Sequence, residues 1–246
     1  MHACRREATN RTITSSCNQD AKCVQGPFQR CCSVQELVLP SSVNRIEFAA
    51  FSHCKSLKRL TIPDSVTRID HRAFQCCNSL TSVTISSGLT SIANFGFFFC
   101  PKLENLYIPD SVTNIGVGAF YGCHSLTRLD IPNSVTDIGA VAFGFCNSLK
   151  SLTMPNSMTS IQMGAFLFCV SLRSLAIPGS VTVIHRKAFL DCSSVASLAI
   201  PDFDAVLITW PRCAPSVSTM MRASVALVST STSLCGGPPG GPSSSW

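Results

Sequence analysis

The chain has 246 residues, 46% of them hydrophobic and only 13% charged, with a net charge of +6 from 19 Lys and Arg against 13 Asp and Glu. So few charges beside so many apolar residues exclude a disordered chain and supply enough apolar surface for a substantial core. The basic residues are scattered, with no dense patch and no interleaved aromatic face, so nucleic acid is not an expected partner. No uninterrupted apolar stretch reaches the ~18 residues of a membrane span, so no membrane insertion is expected either.

Residues 1–26 read as an N-terminal segment, either a cap or disordered. They contain basic residues but no apolar run of the kind a secretory signal needs, so the sequence as written places the chain in the cytoplasm. Asn10-Arg11-Thr12 is a glycosylation sequon that would matter only in an exported form.

From residue 27 to 209 the chain repeats. Phe stands at 28, 51, 74, 97, 120, 143, 166 and 189, and Cys at 31, 54, 77, 100, 123, 146, 169 and 192. Both series have a constant period of 23 residues, and Pro follows the same period at 40, 63, 109, 132, 155, 178 and 201, with Ser86 in the vacant place. One unit, SLKRLTIPDSVTRIDHRAFQCCN at 56–78, shows the local logic. Leu60-Thr61-Ile62 alternates with period two, which predicts a short strand with Arg59 and Thr61 facing away from the core. Pro63 lacks an amide donor and ends that strand. Val66 and Ile69 then point inward across a second flattened side, and HRAFQCC closes the coil as a helical turn or 3₁₀ piece that buries Phe74.

A coil of this size cannot bury its apolar side alone, whereas stacked coils at the ~4.8 Å spacing of paired strands place each Phe over the last. The expected fold is a right-handed β-solenoid of about eight 23-residue coils with a parallel sheet on one face and short turns or 3₁₀ pieces elsewhere. Residues 210–246 leave the repeat and end in Gly, Pro and Ser, as a disordered tail would. Open stacks expose raw core at their ends, so poorly capped ends offer a route to end-to-end self-association.

The recurring I-P-x-S-V-T-x-I and A-F-x-x-C elements, as in SLTRLDIPNSVTDIGAVAFGFC, resemble the BspA-like class of leucine-rich repeat. The resemblance implies a leucine-rich repeat solenoid with a protein-binding role and brings no catalytic residues with it. It also implies an alternative function, a cell-surface or secreted adhesion protein whose export signal is missing from this chain.

Stacked cysteine side chains point the same way rather than at one another, so the ladder is expected to hold free, buried thiols instead of disulfides. Ligands strung along a line do not surround a tetrahedral ion, and no metal or other cofactor is expected. His53-Cys54 and Cys123-His124 bring together residue types used in thiol catalysis, but neighbours in such a turn diverge, Cys inward and His outward. No phosphate-binding loop, nucleophile elbow or zinc-protease motif occurs, so the expected function is not enzymatic.

Outward strand positions form two columns on one face. The middle coils carry its large polar and aromatic groups: Arg59, Asn105, Tyr107, Arg128 and Asp130, residue types that anchor interfaces. This face is the expected binding surface for another protein. The Thr67, Thr90, Thr113, Thr136, Thr159 and Thr182 column beside it reads as a structural hydroxyl ladder.

Overall fold

The computed structural model describes residues 28–31 and 33–199, together with the backbone of Cys23–Val24 and Leu207–Ile208. Alternation within each x-Leu-x triplet gives eight three-residue strands: Glu36–Val38, Arg59–Thr61, Ser82–Thr84, Asn105–Tyr107, Arg128–Asp130, Ser151–Thr153, Ser174–Ala176 and Ser197–Ala199. Neighbours pair in parallel one repeat apart, with Leu37 opposite Leu60, Leu60 opposite Val83 and Val83 opposite Leu106. A second column of two-residue strands, from Arg45–Ile46 to Val183–Ile184, turns Ile46, Ile69, Ile92, Ile115, Ile138, Ile161 and Ile184 into the core. In its first and last described pairs this column slips register by one residue, Cys23 pairing with Arg45 and Val183 with Leu207.

The phenylalanines pile up as expected. Consecutive rings from Phe28 to Phe189 lie 5.3–5.7 Å apart between centroids, and those from Phe51 onward are within 8° of parallel. That separation at near-parallel planes is the offset stack aromatic rings prefer. Phe74, Phe97, Phe120, Phe143 and Phe166 are fully buried, each contributing roughly 1.5–3 kcal/mol of transfer free energy before entropy is subtracted. Leu89 and Met158, which replace the usual Val, are as buried as the Val they replace. Ser86, in the vacant Pro place, is buried and donates its hydroxyl to Val66 O at 3.3 Å.

The A-F-x-x-C side is a run of short turns, as expected, rather than a helix. Backbone amides alternate in direction along it. Ala49, Phe51 and His53 donate to His71, Ala73 and Gln75 of the next coil at 3.1, 2.8 and 2.7 Å, while Ala50, Ser52 and Cys54 donate to carbonyls three residues back in their own coil. A helix would keep every amide within its own coil and leave none to bind the neighbour. The alternation needs two residues per coil with left-handed backbone, such as Arg72 and Cys76 (both φ 59°) or Val141 (φ 51°) and Phe145 (φ 59°). Left-handed geometry costs roughly 1–2 kcal/mol per non-glycine residue, and the cross-coil bonds hold it in place.

These turn-side bonds run without a gap from Arg30–Ser52 to Phe168–Leu190. The three-residue strands, by contrast, divide into sheets of four, two and two, with breaks after Asn105–Tyr107 and after Ser151–Thr153. At both breaks the central leucine, Leu106 or Leu152, is only partly buried. The turn side is therefore the continuous spine of the stack.

The hydroxyl ladder is present beside the second strand column. Thr113, Thr136 and Thr182 donate to Thr90 O, Thr113 O and Thr159 O at 3.2, 3.3 and 3.2 Å, and Ser65 and Ser157 donate to Val43 O and Val135 O. Among the described residues no helix is long and apolar enough to cross a membrane. The N-terminal segment and the tail, as the sequence delimits them, lie almost wholly outside the described residues.

Candidate binding surface on the strand face

Period-two alternation puts the central Leu or Val of each strand inside and its neighbours outside, so Arg59, Asn105, Tyr107, Arg128 and Asp130 all project from one face. Tyr107 is 70% exposed, leaving both its ring and its hydroxyl open to a partner. In the next coil Arg128 Nε donates to Asp130 Oδ2 at 2.6 Å, and Thr153 of the coil after donates to Asp130 Oδ1 at 2.9 Å. Arg59 donates to Glu36 of the preceding coil at 2.7 Å. Both arginines are thus ion-paired while remaining exposed on this face. The Arg128 hydrogen bond holds the Asp130 carboxyl below its usual range despite partial burial, and the Arg59 hydrogen bond does the same for Glu36. Asn105 and Tyr107 sit on the strand next to the first sheet break, so the exposed ring lies beside a seam rather than within a continuous sheet.

Sequence reasoning missed the neighbouring charge clamp. Asp70 accepts from Arg45 at 2.7 Å and from Arg68 at 2.8 Å, joining two coils through one carboxylate. Burial pushes the Asp70 carboxyl up, but the hydrogen bonds from Arg45 and Arg68 outweigh it and hold the group below its ordinary value. Asp70→Asn should cost about 1–2 kcal/mol at pH 7, within the range for hydrogen bonds to a charged group. Because the folded-state value is the lower one, this stability is present above the ordinary aspartate range and lost as pH falls through the folded value. Urea midpoints of the two proteins, separated at neutral pH, should converge in acid.

The cysteine column has a role the sequence did not reveal. Cys54, Cys77, Cys100, Cys123, Cys146, Cys169 and Cys192 are buried thiols, and each donates to the carbonyl of the phenylalanine in the preceding coil at 3.2–3.6 Å. An alanine or valine would fill the space without making this bond. Burial pushes the Cys123 thiol well up and the Cys146 thiol to about 12. Thiolate is the reactive form, so these groups are inert at neutral pH. Among the eight thiols of the described residues, alkylation of the native protein followed by peptide mapping should leave the seven buried ones unmodified and reach half-buried Cys76 first, with all eight reacting after unfolding.

The first rung departs from the expected all-thiol ladder: Cys31 is disulfide-bonded. It shares a coil with Phe28, the first column phenylalanine, so the carbonyl its successors use has no counterpart in the repeat. His124 turns away from buried Cys123, its Nδ1 lying 2.9 Å from Phe145 O, so the pair diverges as expected. Among the described residues no three His, Cys, Asp or Glu side chains form a metal-binding group.

Parallel strands one repeat apart, a leucine core and a stack of short coils define a leucine-rich repeat solenoid. The sequence profile of the BspA type leucine rich repeat region matches six copies over residues 24–143 and 113–206, and the chain belongs to this family. A leucine-rich repeat protein from Bacteroides ovatus is 30% identical with a TM-score of 0.64, over 68% of this chain and 43% of that one. This chain thus spans less than half the length of that protein. A leucine-rich repeat protein from Treponema pallidum is 25% identical with a TM-score of 0.48, over 82% of this chain and 73% of that one. A third, from Eubacterium ventriosum, is 18% identical with a TM-score of 0.49, over 73% of this chain and 70% of that one. No curated protein matches the chain.

Proposed function

We propose that the chain is a non-catalytic scaffold that binds another protein through its strand face, with no cofactor. The observation that carries this reading is Tyr107, 70% exposed on the strand face, with the Arg128–Asp130 ion pair on the same face of the next coil. A tyrosine, with few rotatable bonds, and an arginine already ion-paired on its own strand lose less conformational entropy on binding than free long side chains, which is the character of an interface anchor. A partner recovered with the native protein should bind Tyr107→Ala and Arg128→Ala at least ~10-fold more weakly, and Ser174→Ala as tightly as the parent, with thermal midpoints unchanged. Equal binding by all three variants would place the interface elsewhere.

The disulfide at Cys31 favours a second reading, a cell-surface or secreted adhesion protein, because such bonds persist in oxidising compartments. Non-reducing peptide mapping of protein from fractionated native cells separates the two: an oxidised Cys31 in a surface or secreted fraction supports export, a reduced one in the cytosol the intracellular scaffold.

A further inference from the structure

From the turn side, away from the strand face, we infer that this chain carries a second docking strip, one that takes an apolar peptide segment flanked by acidic residues. Its rings form a continuous path along the stack. The Arg72 guanidinium lies 5.8 Å from the centroid of Phe95, Phe95 is 5.7 Å from Phe98, and Phe98 stacks on Tyr121 at 5.2 Å. Tyr121 then meets Phe145 at 5.1 Å, and Phe145 stacks on Phe168 at 4.6 Å. These rings are partly exposed, and Phe99 beside them is 39% exposed.

The repeat does not require aromatics here. In the coil before, the same columns hold Arg72, Gln75 and Cys76, and in the coil after, Lys187, Leu190 and Asp191, while the separate buried Phe column fills the core. The strip is also levelled by glycine. A Cβ on Gly118 would stand 2.6 Å from the Phe95 ring, one on Gly122 2.8 Å from the Phe99 ring, and one on Gly144 3.0 Å from the Tyr121 ring. Each ring therefore lies down on bare backbone of the next coil, and the result is a low, preorganised apolar track.

Charge selects the occupant. Exposed His71 and Arg72 stand at one end of the track and exposed Arg186 and Lys187 at the other, with Asp191 the one acidic residue in its columns. A second copy laid antiparallel would set these basic ends against each other, so self-association is disfavoured. Cations at the two ends of a narrow line, rather than around a broad patch, suit a linear ligand better than a lipid surface. Five coil steps of 5.3–5.7 Å separate Arg72 from Lys187, roughly 27 Å. That is the length of about eight extended residues or 18 helical ones.

The test is selection of a phage-displayed library of random 18-residue peptides on the full chain, followed by fluorescence anisotropy with the recovered peptides. Expected clones hold Phe, Leu or Met centrally with Asp or Glu at the ends, bind the Tyr107→Ala protein unchanged, and bind the exposed-site variant Arg72→Glu/Lys187→Glu at least ~10-fold more weakly, with affinity falling as salt rises. Phe99→Ser, checked for an unchanged thermal midpoint, should weaken them similarly. Recovery of no clones, clones lacking acidic ends, or clones indifferent to the charge reversal would overturn the inference. Co-sedimentation with phosphatidylserine vesicles that the reversal abolishes, without peptide binding, would assign the strip to membranes instead.

Discussion

Replacing Phe120 by alanine should lower the unfolding free energy by about 3–5 kcal/mol, the usual range for removing a fully buried aromatic ring. Phe120 contacts Phe97 and Phe143 at 5.3 and 5.4 Å, so the cavity would open between two coils rather than at an end. Repeat stability is a sum of weakly stable units and strong nearest-neighbour interfaces. Loss of a central interface should therefore also divide one urea transition into two, followed by circular dichroism. The same change at half-buried Phe28, which has one ring neighbour among the described residues, should cost less and leave the transition single. Equal costs at both sites would mean that the stack does not transmit stability along its length.

The second large effect is expected at Gly139. A Cβ there would lie 2.5 Å from Val117 N and 2.7 Å from Gly116 C, both backbone atoms of the preceding coil that cannot swing aside. Gly139→Ala should cost about 1–3 kcal/mol through forced separation of the two coils. It should also weaken the Gly139 amide bond to Ile115 O, now 2.7 Å, with faster hydrogen exchange at that amide. Gly96 is the control, because it replaces an alanine present in the same column at Ala50, Ala73 and Ala119. Gly96→Ala should change stability by less than about 1 kcal/mol. A neutral Gly139→Ala would show that the strand columns slide freely past each other.

The coil period, the inward Leu and Ile columns and the Phe stack were legible in the sequence because they depend on spacing alone. Arg59, Asn105, Tyr107, Arg128 and Asp130 were placed on the exposed face for the same reason, since period two decides direction for every residue of a strand. What spacing leaves open is where backbone amides go. HRAFQCC has the composition of a short helical turn, and only stacking on a neighbour makes alternate amides reach across coils through residues such as Arg72 and Cys76. The thiol bonds to phenylalanine carbonyls escaped notice likewise, because cysteine and its acceptor stand 26 residues apart, in different coils. The aromatic strip was readable in principle, in GFFFC, FYGC, FGFC and FLFC, by following columns down successive coils; read within one coil, its members look like incidental substitutions.

The gapless turn side and the twice-divided strand side give the stack an asymmetric compliance. The turn-side bonds tie each coil to the next, whereas after Tyr107 and Thr153 the three-residue strands lack ladder pairing, so parting of coils is expected on the strand side at those two seams first. The molecule thus behaves like a bound book, whose pages part on one margin only. The sheets of four, two and two strands are the leaves that such parting would re-angle, while the turn-side bonds keep the length of the spine.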